Sequence, residues 1–194
     1  MSESYDTTNE RYSNASPEDI QALIETLGAD DGLKREQARF QLVFTGRAAT
    51  MSLIDALSDP SVHRRWEAAK ALGAISDPRA AAPLVEALDD ENASVRWVAS
   101  DDLITMGRDG LEPLLRALIA DSGSVWLREG AHHVLHFMAR NGMAELTPVV
   151  DALEDIVPTI EVPVAAYYAL QTLNDRHPAA TRTAVASSRE NRLV

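Results

Sequence analysis

The pattern Arg-x-x-Ala-x-x-x-Leu occurs four times along the 194-residue chain, and a fifth copy has proline in place of the arginine. The first residue of the pattern recurs after 30, 31, 32 and 35 residues. A repeat of this length predicts a stacked array, in which each unit buries its apolar face only against its neighbours. The copies begin at Arg35, Arg65, Arg96, Arg128 and Pro163.

Each unit is predicted to contain two helices, which we call helix A and helix B. Helix A ends in an apolar-charged-Ala-Leu phrase whose copies keep step with the arginine pattern. Helix B carries the pattern itself, and because positions i, i+3 and i+7 share one stripe of a helix, its Arg, Ala and Leu lie on one face. The sequence therefore predicts an all-α protein of about five helix pairs. The helix-A phrases are residues 54–57, 85–88, 115–118 and 150–153.

The two ends of the chain differ from the repeats in composition. Residues 1–15 are polar and show no helical periodicity, which predicts a flexible leader. A serine cap and a first-turn proline at Ser16 and Pro17 begin a repeat domain predicted over residues 16–177. Residues 178–194 are small and polar and are predicted to form a flexible tail.

The composition excludes several classes of function. A formal net charge of −12 argues against nucleic acid or an anionic membrane surface as the main ligand, since both attract basic proteins. The absence of cysteine excludes disulfides, thiolate metal sites and cysteine nucleophiles. No apolar run reaches membrane-spanning length, so a cytoplasmic location is expected. Nothing in the composition calls for a cofactor.

The segment RWEAAKALGAISDPRA at residues 65–80 resembles the HEAT repeat, most closely the short type found in phycobilisome-lyase-like HEAT proteins. The resemblance extends over residues 17 to about 175. It implies a right-handed α-solenoid, with helices A on the convex side and helices B lining the concave side. It also implies a structural ladder, in which each helix-B arginine pairs with an aspartate of the preceding turn. The pairs would be Asp30–Arg35, Asp59–Arg65, Asp90–Arg96 and Asp121–Arg128.

Specificity is expected at two helix-B positions, one and five residues after the arginine, which project away from the Arg-Ala-Leu stripe. Tryptophan occupies the first of these positions in two consecutive units. A partly exposed tryptophan beside a basic residue is typical of a protein-binding hot spot. The alternative is that both indoles fill gaps between neighbouring helices. The candidate partner-binding residues are Trp66, Lys70, Trp97, Asp101, His133 and Tyr168.

Three histidines follow Gly130 in helix B of the fourth unit. His132 and His136 have the i, i+4 spacing of helical metal sites, and Glu129 could approach the same stripe. The favoured alternative is a polar cluster that satisfies itself through backbone carbonyls, so no metal is assigned and the two histidines remain weak candidates. Gly130 is expected to permit a close helix contact, because glycine otherwise costs helix stability.

The enzymatic options find little support in the motifs. Resemblance to bilin lyases offers one, but no motif marks bilin handling. HEAT proteins also include deoxyhypusine hydroxylase, whose metal ligands are His-Glu pairs opening helix B, and none of the corresponding pairs here is His-Glu. Neither a Gly-x-Ser-x-Gly motif nor a phosphate-binding glycine loop is present.

The sequence therefore favours a non-catalytic scaffold that binds a partner protein or peptide on its concave helix-B face. The alternative is a bilin-lyase-like or histidine-metal enzyme on the same scaffold.

Overall fold

The computed structural model describes residues 15–176, so the predicted tail at 178–194 and the predicted leader, apart from Ala15, lie outside the described residues. The described part contains ten α-helices and no strand, as expected for an all-α solenoid. None of these ten helices has the length and apolarity needed to cross a bilayer. The helices are α1 Pro17–Thr26, α2 Gly32–Thr45, α3 Thr50–Ala56, α4 Val62–Ile75, α5 Ala81–Glu86, α6 Ala93–Met106, α7 Arg108–Ala120, α8 Val125–Arg140, α9 Thr147–Glu154 and α10 Pro158–Arg176.

Short polar side chains set where the helices begin. Ser16 and Asp19 form a reciprocal capping box at α1, with each side chain accepting the backbone N–H of the other residue. Helices B of the first four pairs each follow an extended residue whose side-chain oxygen accepts an N–H of the first turn. Those caps are Asp31, Ser61, Asn92 and Ser124.

Helix A departs from the shape that its recurrent prolines suggest. Equivalent prolines predict a shared bend in the helix interior. In the structure Pro83 is the third residue of α5 and Pro148 the second of α9, where a missing N–H breaks no helical bond. Of the three, only Pro113 lies well inside its helix, α7. A 3₁₀ turn precedes helix A in the second, third and fifth pairs, so the change of direction falls at that junction.

Helices B of the first four pairs stack side by side in the order α2, α4, α6, α8. The alanine and leucine of the repeated pattern are buried in each of these helices, and the small alanine leaves room for close packing. Gly130 permits a close contact, as expected, but with the end of helix A in the third pair: a methyl group there would lie 2.8 Å from Cδ2 of Leu88. The buried pattern residues are Ala38, Leu42, Ala68, Leu72, Ala99, Leu103, Ala131 and Leu135.

The fifth pair breaks this order. Helix α10 packs mainly against α7 and α9, whereas the other helices B pack against the preceding helix B. The Ser122 hydroxyl donates to the backbone carbonyl of Thr159 at 3.1 Å, which joins the start of α10 to the turn between α7 and α8. Side chains of α10 are therefore not in line with equivalent positions on α4, α6 and α8.

Candidate functional site

The four repeated arginines fold back onto the turn that precedes their own helix. Each guanidinium donates through Nη1 to two consecutive backbone carbonyls, for example from Arg65 to Asp59 at 2.9 Å and to Pro60 at 3.2 Å. These bonds tie the turn to the first helical residues. The acceptors are Ala29 and Asp30 for Arg35, Asp59 and Pro60 for Arg65, Asp90 and Glu91 for Arg96, and Ser122 and Gly123 for Arg128.

The aspartate side chains of these turns have a different role from the one expected. The carboxylates of Asp59, Asp90 and Asp121 each accept the backbone N–H two residues further on, at 2.7 Å in all three turns. This is an Asx turn, in which the side chain takes the place of a backbone acceptor. The expected ion pair within each unit is corrected accordingly: the arginine meets the turn through carbonyl oxygens.

Two of the four arginines, Arg35 and Arg65, form ion pairs between units instead. Arg65 donates to Asp90 of the following turn through Nε at 2.7 Å and Nη2 at 3.1 Å, and these hydrogen bonds to Asp90 raise the pKa of the guanidinium. Arg35 Nε lies 3.5 Å from Oε1 of buried Glu67, which also pairs with Arg39. These contacts join α2 to α4, and α4 to the turn before α6.

Five of the six candidate binding residues form one surface on helices α4, α6 and α8. Lys70 Nζ lies 4.7 Å from the ring centre of Trp66, and the rings of Trp97 and His133 are 5.0 Å apart. His133 Nε2 lies 3.6 Å from a carboxylate oxygen of Asp101. An open groove of about 590 Å³ runs between the first two helices. We call it the aromatic groove; Trp66, Lys70, Ser94, Trp97, Asp101 and Asp102 line it, together with Ala93 and Val98.

The two tryptophans differ in burial. Trp66 is half-buried and packs against the core, which is the alternative interpretation considered for both indoles. Trp97 is 59% exposed and stands at the edge of the groove. Only Trp97 therefore offers most of its ring to another molecule.

Asp102 is a groove residue that the repeat pattern did not identify. Its Oδ2 is buried and has no hydrogen-bond partner within residues 15–176. Burial, with a smaller contribution from the neighbouring Asp101, raises the pKa of this carboxyl to about 7, while Lys70 opposes the shift. The side chain fits because it faces Gly73, where a methyl group would overlap the carboxylate. The sequence signal that could have indicated this close approach is the glycine at position 73, inside α4.

Tyr168 lies apart from the other five candidates. It is exposed on α10 and meets Tyr167 edge-on, with ring centres 5.7 Å apart. Because α10 packs on α7 and α9, the equivalence of position does not bring Tyr168 into line with His133. Another exposed aromatic, Trp126 on α8, stacks on the Arg96 guanidinium at 4.5 Å. Trp126 stands outside the two helix-B positions singled out from the sequence, which is why it was missed.

Two histidines of α8 lie close to a carboxylate from the fifth helix pair. The rings of His132 and His136 are 5.4 Å apart, and His132 Nε2 lies 2.8 Å from Oε1 of Glu154 at the end of α9. The third member of the cluster, a carboxylate, is thus Glu154 from the end of α9 and not Glu129. His133, which lies between His132 and His136 in the sequence, faces Trp97 and Asp101.

Comparison with known proteins agrees with this architecture. The family of HEAT repeats matches residues 13–103, so this part of the chain carries HEAT repeats and the resemblance noted in the sequence is confirmed. A solved structure of the complex of CpcE and CpcF of phycocyanin lyase from Nostoc sp. PCC7120 is similar in fold. The match has a TM-score of 0.53 and 23% sequence identity, and it covers 79% of this chain and 99% of that chain. No curated protein matches the sequence.

Fold and family match together define a HEAT-repeat α-solenoid. Within it, the candidate functional surface is the aromatic groove on the second and third helices B.

Proposed function

We propose that the chain is a non-catalytic scaffold that binds a partner protein or peptide in the aromatic groove. The observation that carries the proposal is the indole of Trp97, 59% exposed beside a groove lined by a second tryptophan and two aspartates. An exposed tryptophan offers a large rigid apolar surface with few torsions to fix, which is why tryptophan dominates binding hot spots.

The charges of the groove favour a basic partner segment. Asp101 and Asp102 line the groove, and Lys70 is the one cation among its lining residues within the described chain. A net charge of −12 on the whole chain adds a long-range attraction for basic molecules. An arginine or lysine side chain of the partner would stack on the open face of Trp97 and reach the carboxylates behind it.

Two further points support a protein as the partner. The solved structure of similar fold is itself a complex of two proteins, CpcE and CpcF. The Arg65–Asp90 contact holds α4 to the turn before α6, so the groove presents a fixed shape. We place this activity in the cytoplasm.

Selection from a random-peptide library on the purified protein tests the proposal. The expected result is enrichment of peptides that combine an arginine or lysine with apolar neighbours, bound at least tenfold more weakly by Trp97→Ala. Phe44→Ala is the matched control, since Phe44 is an exposed aromatic on α2 away from the groove. Peptides that bind Trp97→Ala as tightly as the unmodified protein would overturn the assignment, as would a selection without any enrichment.

A further inference from the structure

A second constellation lies on the other side of α8, away from the aromatic groove. His132 and His136 stand one turn apart on α8, and Glu154 comes from the end of α9. One side-chain nitrogen or oxygen from each residue lies within 4.8 Å of those of the other two. Both histidines are half-buried and Glu154 is exposed, so solvent reaches the three groups.

The separations are close to those of ligands around one metal ion. With metal–ligand bonds of about 2.0–2.1 Å in tetrahedral geometry, neighbouring ligand atoms are about 3.3 Å apart. His132 Nε2 and Glu154 Oε1 are 2.8 Å apart, and a ring nitrogen of His136 lies within 4.8 Å of both groups, so modest side-chain rotations bring the three to this spacing. His132 and His136 lie at positions i and i+4, so the helix holds their imidazoles on one face at a set spacing.

The donor types select the class of ion. Two imidazole nitrogens and one carboxylate oxygen suit Zn²⁺, Co²⁺ or Ni²⁺, whereas Ca²⁺ and Mg²⁺ prefer oxygen ligands throughout. Three protein ligands at an accessible position leave room for water in the coordination sphere.

We propose that His132, His136 and Glu154 form a binding site for a divalent transition-metal ion such as Zn²⁺. The site joins two different helix pairs, since α8 belongs to the fourth and α9 to the fifth. An ion held there stabilises the contact between them, because the three ligands converge only in the folded chain. The site is independent of the aromatic groove.

The test is titration of untagged, chelator-treated protein with Zn²⁺ by calorimetry and with Co²⁺ by visible absorption. An affinity tag is avoided because its histidines would bind the same ions. The expected result is one ion per chain, a higher Tm with Zn²⁺, and at least tenfold weaker binding in His136→Gln and in Glu154→Gln.

His133→Gln is the matched control, because His133 is on the same helix but faces Trp97. His177→Gln controls for a histidine outside the described residues. Both are expected to bind Zn²⁺ like the unmodified chain. Binding that survives His136→Gln, or that is lost equally in His133→Gln, would overturn the proposal.

A measurement on the unmodified chain covers the case in which a variant fails to fold. Zn²⁺ should shift the ring resonances of His132 and His136 in NMR spectra and leave those of His63 and His133 in place. Equal shifts for all four histidines would mean non-specific binding and would contradict the site.

Discussion

The Arg65 guanidinium donates two parallel hydrogen bonds to the Asp90 carboxylate, from Nε at 2.7 Å and from Nη2 at 3.1 Å. The same guanidinium donates through Nη1 to the turn before its own helix. Arg65 is therefore shared by two successive units, with its side chain only 8% exposed. A planar guanidinium suits this position because it offers donors in several fixed directions, which the ammonium of lysine does not.

Replacement of Arg65 by alanine should cost about 3 kcal/mol of unfolding free energy, because it leaves the Asp90 carboxylate partly buried without its cation. Urea denaturation measures the loss. Arg116→Ala is the control, since Arg116 pairs with Glu112 on the surface of α7, and a change within about 0.5 kcal/mol is expected there. Equal small effects in both variants would show that the inter-unit pair contributes little.

Asp102→Asn should stabilise the protein at high pH. The pKa of Asp102 is raised from 3.8 to about 7 in the fold, first by burial, so the folded state holds a proton that the unfolded chain releases. Stability contributed by this group is complete below pH 3.8 and is lost as the pH rises toward 7. The variant should gain on the order of 2 kcal/mol at pH 8 and almost nothing at pH 4, since asparagine carries no charge.

Denaturation of both proteins between pH 4 and pH 8 checks the Asp102 prediction. A gain that does not depend on pH would mean that folding does not raise the pKa of Asp102.

Gly130→Ala should destabilise the protein by about 1 kcal/mol, although alanine normally favours a helix over glycine by a similar amount. The added methyl group would lie 2.8 Å from Cδ2 and 3.3 Å from Cβ and Cγ of Leu88, which is fully buried and has no space to move into. Thermal unfolding followed by circular dichroism gives the sign. A stabilised variant would contradict the close contact between α8 and the end of helix A in the third pair.

Trp97→Ala should leave the unfolding free energy within about 0.5 kcal/mol, because most of the indole is already in water. Leu103→Ala on the same helix should cost about 2–5 kcal/mol, since Leu103 is fully buried. Comparison of the two variants distinguishes a residue that contributes to binding from one that contributes to packing. A large loss of stability in Trp97→Ala would give Trp97 a structural role.

The regular part of the fold could be read from the sequence, because spacing alone places Ala68 and Leu72 on one buried stripe. The same spacing placed Trp66, Lys70 and Trp97 on a shared flank, since α4 and α6 keep the repeat register. It failed for Tyr168, because α10 leaves the helix-B row and packs on α7. The periodicity of the sequence does not indicate that α10 packs against a different helix.

The roles of single polar atoms were harder to predict. The resemblance to HEAT repeats implied an ion pair between Asp59 and Arg65, yet side-chain carboxylates compete with backbone carbonyls for the same donors in a tight turn. Geometry at the scale of an ångström decides that competition. For the same reason the meeting of Glu154 with His132 became visible only in three dimensions, since 22 residues separate them.

Because Arg65 binds both Asp90 and the turn before its own helix, it affects how a partner segment would be recognised. Trp66 follows it directly on α4, and Trp97 stands in the first turns of α6, just after the turn that Asp90 holds. An incoming segment would therefore meet a preorganised template and lose entropy only on its own side. Association with such a template is governed by diffusion and electrostatic steering, and selectivity by the lifetime of the complex.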